Sequence, residues 1–188
     1  MSELNHGGTS SPILKADPGR PAADEYGAYH GRYVDLVPAG NILTALGEQI
    51  NETLGVLGKL TEADSLRKQP PYHWSFKEVI GHMADTERVF AYRALRVARN
   101  DPTPLPSFDQ DDYVTQARFD SRPLAELVDD LGLIRQSTLA LLRGLDPMAW
   151  VRRGTASGSV VSVRAIAHII AGHEKHHLIV LRERVGSL

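Results

Sequence analysis

Cysteine is absent from the 188-residue sequence. Its absence excludes a disulfide-stapled scaffold, a zinc site with cysteine ligands and a catalytic cysteine nucleophile. Any thiol that takes part in chemistry on this chain must therefore come from outside it.

Long apolar runs and a strong excess of one charge are also lacking. The chain has no run of about 18 or more apolar residues, so we expect no membrane span. The first residues lack the basic start and apolar segment of a secretory signal, and we expect a cytoplasmic protein. The formal net charge is −2 with neutral histidines and there is no basic stripe, so we expect no nucleic-acid partner.

Hydrophobic periodicity divides the chain into an arm and a helical domain. Residues 1–35 are rich in Gly, Pro, Ser and Ala and predict a partly irregular N-terminal arm. Residues 36–188 contain four amphipathic segments, and the 42% hydrophobic content of the chain is enough for one core. The predicted fold is all-α, a four-helix bundle. Its helices cover approximately residues 38–60, 75–100, 123–143 and 162–185.

Local signals mark the ends of these helices and the segments between them. Pro38 starts the first helix, Ser75 with Glu78 forms a capping box for the second, and Ser121 or its flanking loop caps the third. The connection between the second and third helices is long for a bundle, which indicates a crossover or a functional rim. It either rims a pocket or is a solvated acidic connector, and contains Phe108, Asp109, Asp111, Asp112 and Tyr113. The segment GTASGSV before the fourth helix fits a flexible turn or a short hairpin.

The fourth predicted helix carries a histidine pair near its inward face. On a helical wheel His177 falls within the apolar face, and His173 falls at its edge one turn earlier. His176 lies further outside this face, and His168 points nearly the opposite way. Two imidazoles at positions i and i+4 lie one above the other and can share one ion.

The second predicted helix offers a third imidazole. His82 lies beside the apolar stripe of that helix, within a turn of Val79 and Thr86, and could reach inward. A metal site in a bundle core draws its ligands from facing helices, as this placement would allow. A histidine beside an apolar stripe can equally be packed in the core or solvated, and spacing alone leaves both interpretations open.

Two carboxylates also fall within the apolar faces of these helices. Burying a carboxylate is costly unless it is paired or lies near a cation. Glu87 and Glu174 either orient the ligand imidazoles or form a salt bridge to Arg88, Arg93 or Arg135. Of these arginines, Arg88 and Arg93 could instead meet an anionic cosubstrate.

Residues 173–177 match the H-E-x-x-H motif of zinc metalloproteases, in which the glutamate is the general base. Such proteases take a third ligand further along the chain, but no histidine follows His177. No sheet is predicted that could bind a peptide edge. The motif therefore does not favour a peptidase, although Glu174 remains available as a base beside a metal.

Two stretches of the sequence resemble the DinB/YfiT-like metal-dependent hydrolases. Residues 72–114 resemble their second helix and the loop after it, and residues 162–185 resemble their last helix. The likeness extends from about residue 30 to the end. It depends on a Trp-Ser entry, a Gly-His-x-x-Asp-x-Glu-Arg run and a Gly-His-Glu-x-His-His run.

This resemblance implies a four-helix bundle with a long crossover loop, often dimeric. It also implies a metal held by one histidine of the second helix and an H-x-x-x-H pair of the last. Carried over by position, these ligands are His82, His173 and His177, the three that the helical wheel also selects. Members with known activity include transferases that couple bacillithiol, mycothiol or glutathione to electrophiles, and a mycothiol-dependent maleylpyruvate isomerase.

We therefore expect a homodimer that binds one divalent ion (zinc, nickel, iron or manganese) and a small-molecule substrate. Three imidazoles leave an open coordination position, where the ion lowers the pKa of a bound thiol or water. The leading hypothesis is a metal-dependent transferase that couples a low-molecular-weight thiol to a small electrophile. The alternatives are a metal-dependent hydrolase of a small amide or ester, with Glu174 as base, and a non-enzymatic metal-binding stress protein. Beyond this alternative, no catalytic residue is assigned.

Overall fold

The computed structural model of the protein describes residues 17–188. Within that range the chain forms eight α-helices and one two-stranded antiparallel sheet between the last two helices. The helices are α1 (Gly31–Val34), α2 (Ile42–Leu57), α3 (Glu62–Ser65), α4 (Phe76–Ala98), α5 (Gln110–Ala117), α6 (Leu124–Arg143), α7 (Pro147–Trp150) and α8 (Val163–Gly186). The strands are β1 (Arg153–Ala156) and β2 (Ser159–Ser162).

The four long helices α2, α4, α6 and α8 form a bundle. Helix α4 packs against α6 and α8, and α2 packs against the same two, so α2 and α4 occupy opposite corners. Phe90, Leu142 and Ile166 fill one part of the core, and Phe76 and Leu178 fill another. The predicted all-α four-helix bundle is therefore confirmed. Among the described residues no helix is long and apolar enough to cross a bilayer.

Side-chain caps determine where the first two bundle helices begin. Ser75 and Glu78 form the predicted capping box: Ser75 Oγ accepts from the backbone N–H of Glu78 at 3.0 Å, and Glu78 Oε2 accepts from that of Ser75 at 2.7 Å. The predicted start of the first helix at Pro38 is wrong. Helix α2 begins at Ile42, because the Asn41 side chain accepts two backbone N–H groups of its first turn.

The cap of α6 comes from a distant part of the chain. The backbone N–H of Leu124 donates to Glu62 Oε2 at 2.9 Å, and Glu62 also accepts from Lys77. The predicted cap, Ser121, instead donates its hydroxyl to the carbonyl of Arg118. The local sequence could not predict this cap because Glu62 belongs to α3.

The long connection between α4 and α6 contains the unpredicted helix α5. Asp109 caps this helix by accepting from the N–H groups of Asp111 and Asp112 at 2.9 and 3.2 Å. Only Val114 of α5 is buried, so the segment lacks the apolar stripe by which a helix is recognised from sequence. The predicted long connection is confirmed, with this additional helix inside it.

The segment before α8 is a hairpin, the second of the two interpretations that its sequence allowed. Its turn residues Ser157 and Gly158 have φ of 51° and 76°. Positive φ at both central residues is the geometry of a type I′ turn, which favours glycine and matches the twist of paired strands.

The N-terminal segment packs closely on α8. A Cβ atom on Gly172 would lie 1.9 Å from the carbonyl oxygen of Tyr33, so the absence of a side chain there is what admits the segment. Residues 17–35 of the predicted arm are thus held against the bundle. The rest of it, residues 1–16, lies outside the described residues.

Buried Glu25 fastens this segment to the start of α8. Its carboxylate accepts from Ser162 Oγ at 2.6 Å and from Arg164 Nε at 2.8 Å. Ser162 is also the N-cap of α8, where its Oγ accepts from the N–H of Ala165. The hydrogen bonds from Arg164, with those from Ser162 and Ala22, lower the pKa of Glu25 to about 2 against the opposing effect of burial.

Stability should therefore depend on the ionisation of Glu25. Its folded pKa lies below its ordinary value of 4.5, so its contribution is present above pH 4.5 and is lost as the pH falls towards 2. We expect Glu25→Gln to lower the free energy of unfolding by about 1–3 kcal/mol at pH 7. Urea denaturation at pH 7, 4 and 3 measures this. Asp24→Asn, which breaks an exposed pair with Arg153, is the control and should cost under about 0.5 kcal/mol. A Glu25→Gln deficit that stays constant in acid would contradict the prediction.

Candidate metal centre

Three histidines from two facing helices converge in the bundle core. Nε2 of His173 lies 3.0 Å from Nε2 of His82 and 3.1 Å from Nε2 of His177. His82 of α4 is 4% exposed and His173 of α8 is 7% exposed, while His177 is half-buried. The structure thus brings together the three histidines that the sequence analysis selected.

Glycines beside two of these histidines let other segments cover the site. A Cβ on Gly81 would lie 2.3 Å from the ring of Phe119, as one on Gly172 would collide with the N-terminal segment. Aromatic rings then enclose the imidazoles. The Trp74 ring centroid lies 4.7 Å from that of His82, and the Tyr33 ring meets His173 edge-on at 5.4 Å.

The environment keeps these imidazoles neutral. Burial, and secondarily the nearby His176, lowers the pKa of His82 to about 4. Burial also lowers the pKa of His173 and His177 well below their ordinary value. Thr86 Oγ1 lies 3.4 Å from Nδ1 of His82. In the tautomer with a free Nε2 lone pair, Nδ1–H donates to this hydroxyl, which orients the ring as ligand histidines are usually oriented.

The donor set fits a divalent transition metal. Zinc–nitrogen bonds of about 2.0–2.1 Å in a tetrahedral arrangement place the ligand nitrogens about 3.4 Å apart. The nitrogen separations of 3.0 and 3.1 Å are close to this spacing. Three lone pairs directed at one point repel each other unless a cation lies between them, so the chemistry of the cluster suits an ion.

The other histidines of α8 lie outside the cluster. His176 is exposed, and its ring contacts those of Tyr33 and His177 at 5.8 and 5.1 Å. His168 also points away from the cluster, but it is buried, and its Nδ1 lies 2.8 Å from the carbonyl oxygen of Arg164. A wheel for an isolated helix could not predict that burial, because it omits the segments that cover α8.

The two buried carboxylates share one arginine. Arg135 of α6 donates from Nε and Nη2 to Glu87 at 2.9 and 2.8 Å, and its Nη2 lies 2.7 Å from Glu174 Oε2. Thr53 also donates to Glu174, at 2.6 Å. Of the alternatives left open by the sequence, the salt bridge to Arg135 is correct. Glu174 is held on the side of α8 that faces α2 and α6, which does not suit the role of base in an H-E-x-x-H motif.

Two cavities adjoin the histidine cluster. The first, of about 360 Å³, is lined by His82 and His173 together with Phe90, Arg93 and Phe108. The second, of about 390 Å³, has His177 in its wall. Further lining residues of the two cavities include Tyr29, His30, Tyr33 and Gln110 in the first, and Tyr72, Trp74, Gln110, Asp111 and Arg184 in the second.

The crossover and the N-terminal segment both contribute to these walls. Phe108 and Asp111 line one cavity each, whereas Asp109 and Asp112 are exposed at the surface. The loop is therefore partly a rim and partly a solvated connector. His30 was missed by the sequence analysis, because it lies in a segment without helical periodicity that carries no ligand pattern.

The fold is similar to two solved structures. YfiT from Bacillus subtilis, described as a probable metal-dependent hydrolase with an unusual four-helix bundle topology, matches with a TM-score of 0.66 at 14% identity, over 87% of this chain and 90% of that one. A mycothiol-dependent maleylpyruvate isomerase matches with a TM-score of 0.65 at 15% identity. That match covers 78% of this chain but 61% of the isomerase, less than two thirds of its length. At these identities the likeness establishes the fold alone.

The curated proteins contain no match to this chain. The model of the DinB superfamily, in contrast, matches residues 45–181. This range includes α4, most of α8 and all three clustered histidines, and it spans well over half of the sequence. The chain therefore belongs to the DinB superfamily.

Proposed function

We propose that the protein binds one divalent metal ion on His82, His173 and His177 and couples a low-molecular-weight thiol to a small electrophile. The observation that carries this proposal is the convergence of three neutral imidazole nitrogens between two cavities. Zinc, nickel, iron and manganese are all candidates, because imidazole accepts each of them.

The cavities suit a reaction between two small molecules. They are lined by different histidines of the cluster, so each can hold one reactant next to an open coordination position. A bound dication would lower the pKa of a thiol and favour its thiolate. In the transfer, the sulfur–carbon bond forms, the bond from that carbon to its leaving group breaks, and the thiol proton passes to solvent. The chain contains no cysteine that could compete.

The comparisons support a small-molecule reaction of this kind, and they fit both thiol transfer and hydrolysis. The isomerase depends on mycothiol, a thiol, whereas YfiT is described as a probable metal-dependent hydrolase. The position of Glu174 favours the thiol version, since its carboxylate accepts from Thr53 and lies in an ion pair with Arg135. A reaction that consumes a reduced thiol suits a reducing compartment, so we place the protein in the cytoplasm.

The first experiment measures metal content. Purified protein should contain about one divalent ion per chain by elemental analysis, and His173→Ala should abolish it because two imidazoles hold such an ion weakly. His176→Ala is the matched control and should retain the ion, since His176 lies outside the cluster. Circular dichroism checks that each variant folds. Full metal content in His173→Ala would refute the site, and loss in His176→Ala with retention in His177→Ala would show that the ligand register is wrong.

A second experiment separates thiol transfer from hydrolysis. Glu174→Gln and Glu87→Gln each remove one carboxylate from Arg135, so their structural effects are matched, but only Glu174 adjoins a clustered histidine. With monochlorobimane and added thiols, transfer should require the thiol, and both variants should keep the rate within about tenfold. If Glu174 is instead a general base for hydrolysis, Glu174→Gln alone should lower the rate by at least about a hundredfold. Turnover without added thiol, together with a loss of rate in Glu174→Gln alone, would establish hydrolysis. No turnover with or without thiol would favour a non-enzymatic metal-binding protein.

We also propose that the protein is a homodimer with contacts through α4 and the N-terminal segment. Tyr92 and Leu95 of α4 and Tyr29 of the N-terminal segment are large apolar or aromatic residues left exposed. Light scattering at micromolar concentration should give twice the mass of the chain, 20.7 kDa. Leu95→Arg should shift the mass towards the monomer, whereas a monomer in the unmodified protein would contradict the proposal.

A further inference from the structure

Arg93 is a buried cation without a matching anion. The side chain is 4% exposed, and Nη2 makes both of its hydrogen bonds within residues 17–188, to the carbonyl of Pro106 at 2.6 Å and to Ser157 Oγ at 3.0 Å. Both partners are neutral. Among the described residues no carboxylate forms an ion pair with Arg93, and burial lowers its pKa. A buried guanidinium in this state is costly, because neutral acceptors and aromatic rings replace only part of the solvation of its charge.

Other arginines near the core have either carboxylate partners or no accessible free donor. Arg88, on the same helix, lies 3.0 Å from Asp85 and 2.6 Å from Asp130, which assigns it to an ion pair of the bundle. Arg184 lines the second cavity and also has no carboxylate partner among residues 17–188, but its Nε and Nη2 donate to Gln69 and to the carbonyl of Arg67, and its Nη1 is fully buried. Arg93 differs because it lines the first cavity with Nη2 alone bonded to described residues, and neither Nε nor Nη1 is fully buried.

The cavity continues from Arg93 to the histidine cluster. His82, Thr86, Phe90 and Arg93 lie along one face of α4 and all line it. His82 and Arg93 are eleven positions apart on the helix, which is about 16 Å along its axis. Side chains on a helix point towards its N-terminus, so the long arginine side chain shortens this distance. A ligand roughly 10 Å long would reach from the cluster to the guanidinium. Its middle would lie against aromatic side chains, since Phe90 and Phe108 both lie close to the guanidinium.

The charge of the cavity wall selects the ligand. Of the residues between 17 and 188 that line it, Arg93 alone is permanently charged and none is Asp or Glu. A carboxylate at this end of the cavity would balance the charge of the guanidinium and accept hydrogen bonds from it.

We infer that this cavity takes an elongated substrate whose terminal carboxylate is bound by Arg93 while its reactive end lies at the histidine cluster. The placement of the reactive end at the histidine cluster rests on the proposed function, whereas the binding of the carboxylate by Arg93 does not. The carboxylate belongs to either the thiol or the electrophile. Arg93 is therefore a specificity-determining residue whose guanidinium recognises the acid.

The central test uses 4-phenylbutyrate and 4-phenylbutyramide, which differ only in replacing a carboxylate by an amide. Isothermal titration calorimetry on the unmodified protein, as purified and after treatment with chelator, should show at least tenfold tighter binding of the acid in both forms. Arg93→Met, which keeps an unbranched side chain but removes the charge, should reduce this preference below twofold. Arg88→Met removes a charge from the same helix and should leave the preference intact.

Each other result overturns the inference. Equal binding of acid and amide to the unmodified protein contradicts it without any variant, so a failure of Arg93→Met to fold does not remove the test. A preference that survives Arg93→Met and disappears with the chelator would place the carboxylate on a metal instead. In Arg93→Lys, which keeps the charge, most of the acid preference should remain.

Kinetics then identify which reactant carries the acid. With a neutral electrophile, 6-mercaptohexanoate is compared with its amide, and with a neutral thiol, 4-(chloromethyl)benzoate is compared with 4-(chloromethyl)benzamide. One pair should show at least a tenfold difference in KM that Arg93→Met removes. If none of the substrates turns over but calorimetry still shows the preference for the acid, the proposed transfer is refuted and the role of Arg93 is not. Turnover with no acid preference in either assay would refute the role of Arg93 alone.

Discussion

One buried guanidinium holds the four bundle helices in register. Arg135 extends from α6 to Glu87 of α4 and to Glu174 of α8, and its Nη1 donates to the carbonyl of Leu46 in α2 at 2.9 Å. Removing a charged group from water is tolerated only when its partners are well placed, so a shift of α4, α6 or α8 would separate buried charges from their partners, and a shift of α2 would remove a hydrogen bond from Arg135. Because Glu174 directly follows His173, the position of this network also fixes where the imidazoles lie. The geometry of the candidate metal centre thus depends on an ion network one layer below it.

The distribution of charge around the histidine cluster follows from that network. Two carboxylates share one guanidinium beneath the imidazoles, and burial raises the pKa of Glu174. This local excess of negative charge would be balanced by a cation held on the neutral imidazoles. At the far end of the first cavity, Arg93 supplies an uncompensated positive charge. The cavity therefore has the histidine cluster at one end and a guanidinium at the other, and the guanidinium end is the one that suits a carboxylate.

Features set by local periodicity could be predicted from the sequence, whereas those set by distant contacts could not. The bundle helices and the convergence of His82, His173 and His177 follow from which residues share a helix face. The cap that Glu62 gives to α6 and the lining role of His30 depend on contacts between segments far apart in sequence. Arg88 and Arg93 look equivalent in the sequence, and they differ because the acids Asp85 and Asp130 come close to only one of them.

The bundle and the segments around it contribute different parts of the site. The bundle supplies the imidazoles, and the chain outside it supplies much of the first cavity wall: the N-terminal segment, the crossover and the hairpin, with Tyr29, Phe108 and Ser157 as examples. These segments reach the site because Gly81 and Gly172 leave room for them beside two of the histidines. A shared bundle can therefore accompany different substrates when the covering segments differ. For this reason the fold shared with YfiT and the isomerase at 14–15% identity does not fix the substrate, which has to be inferred from the cavity wall itself.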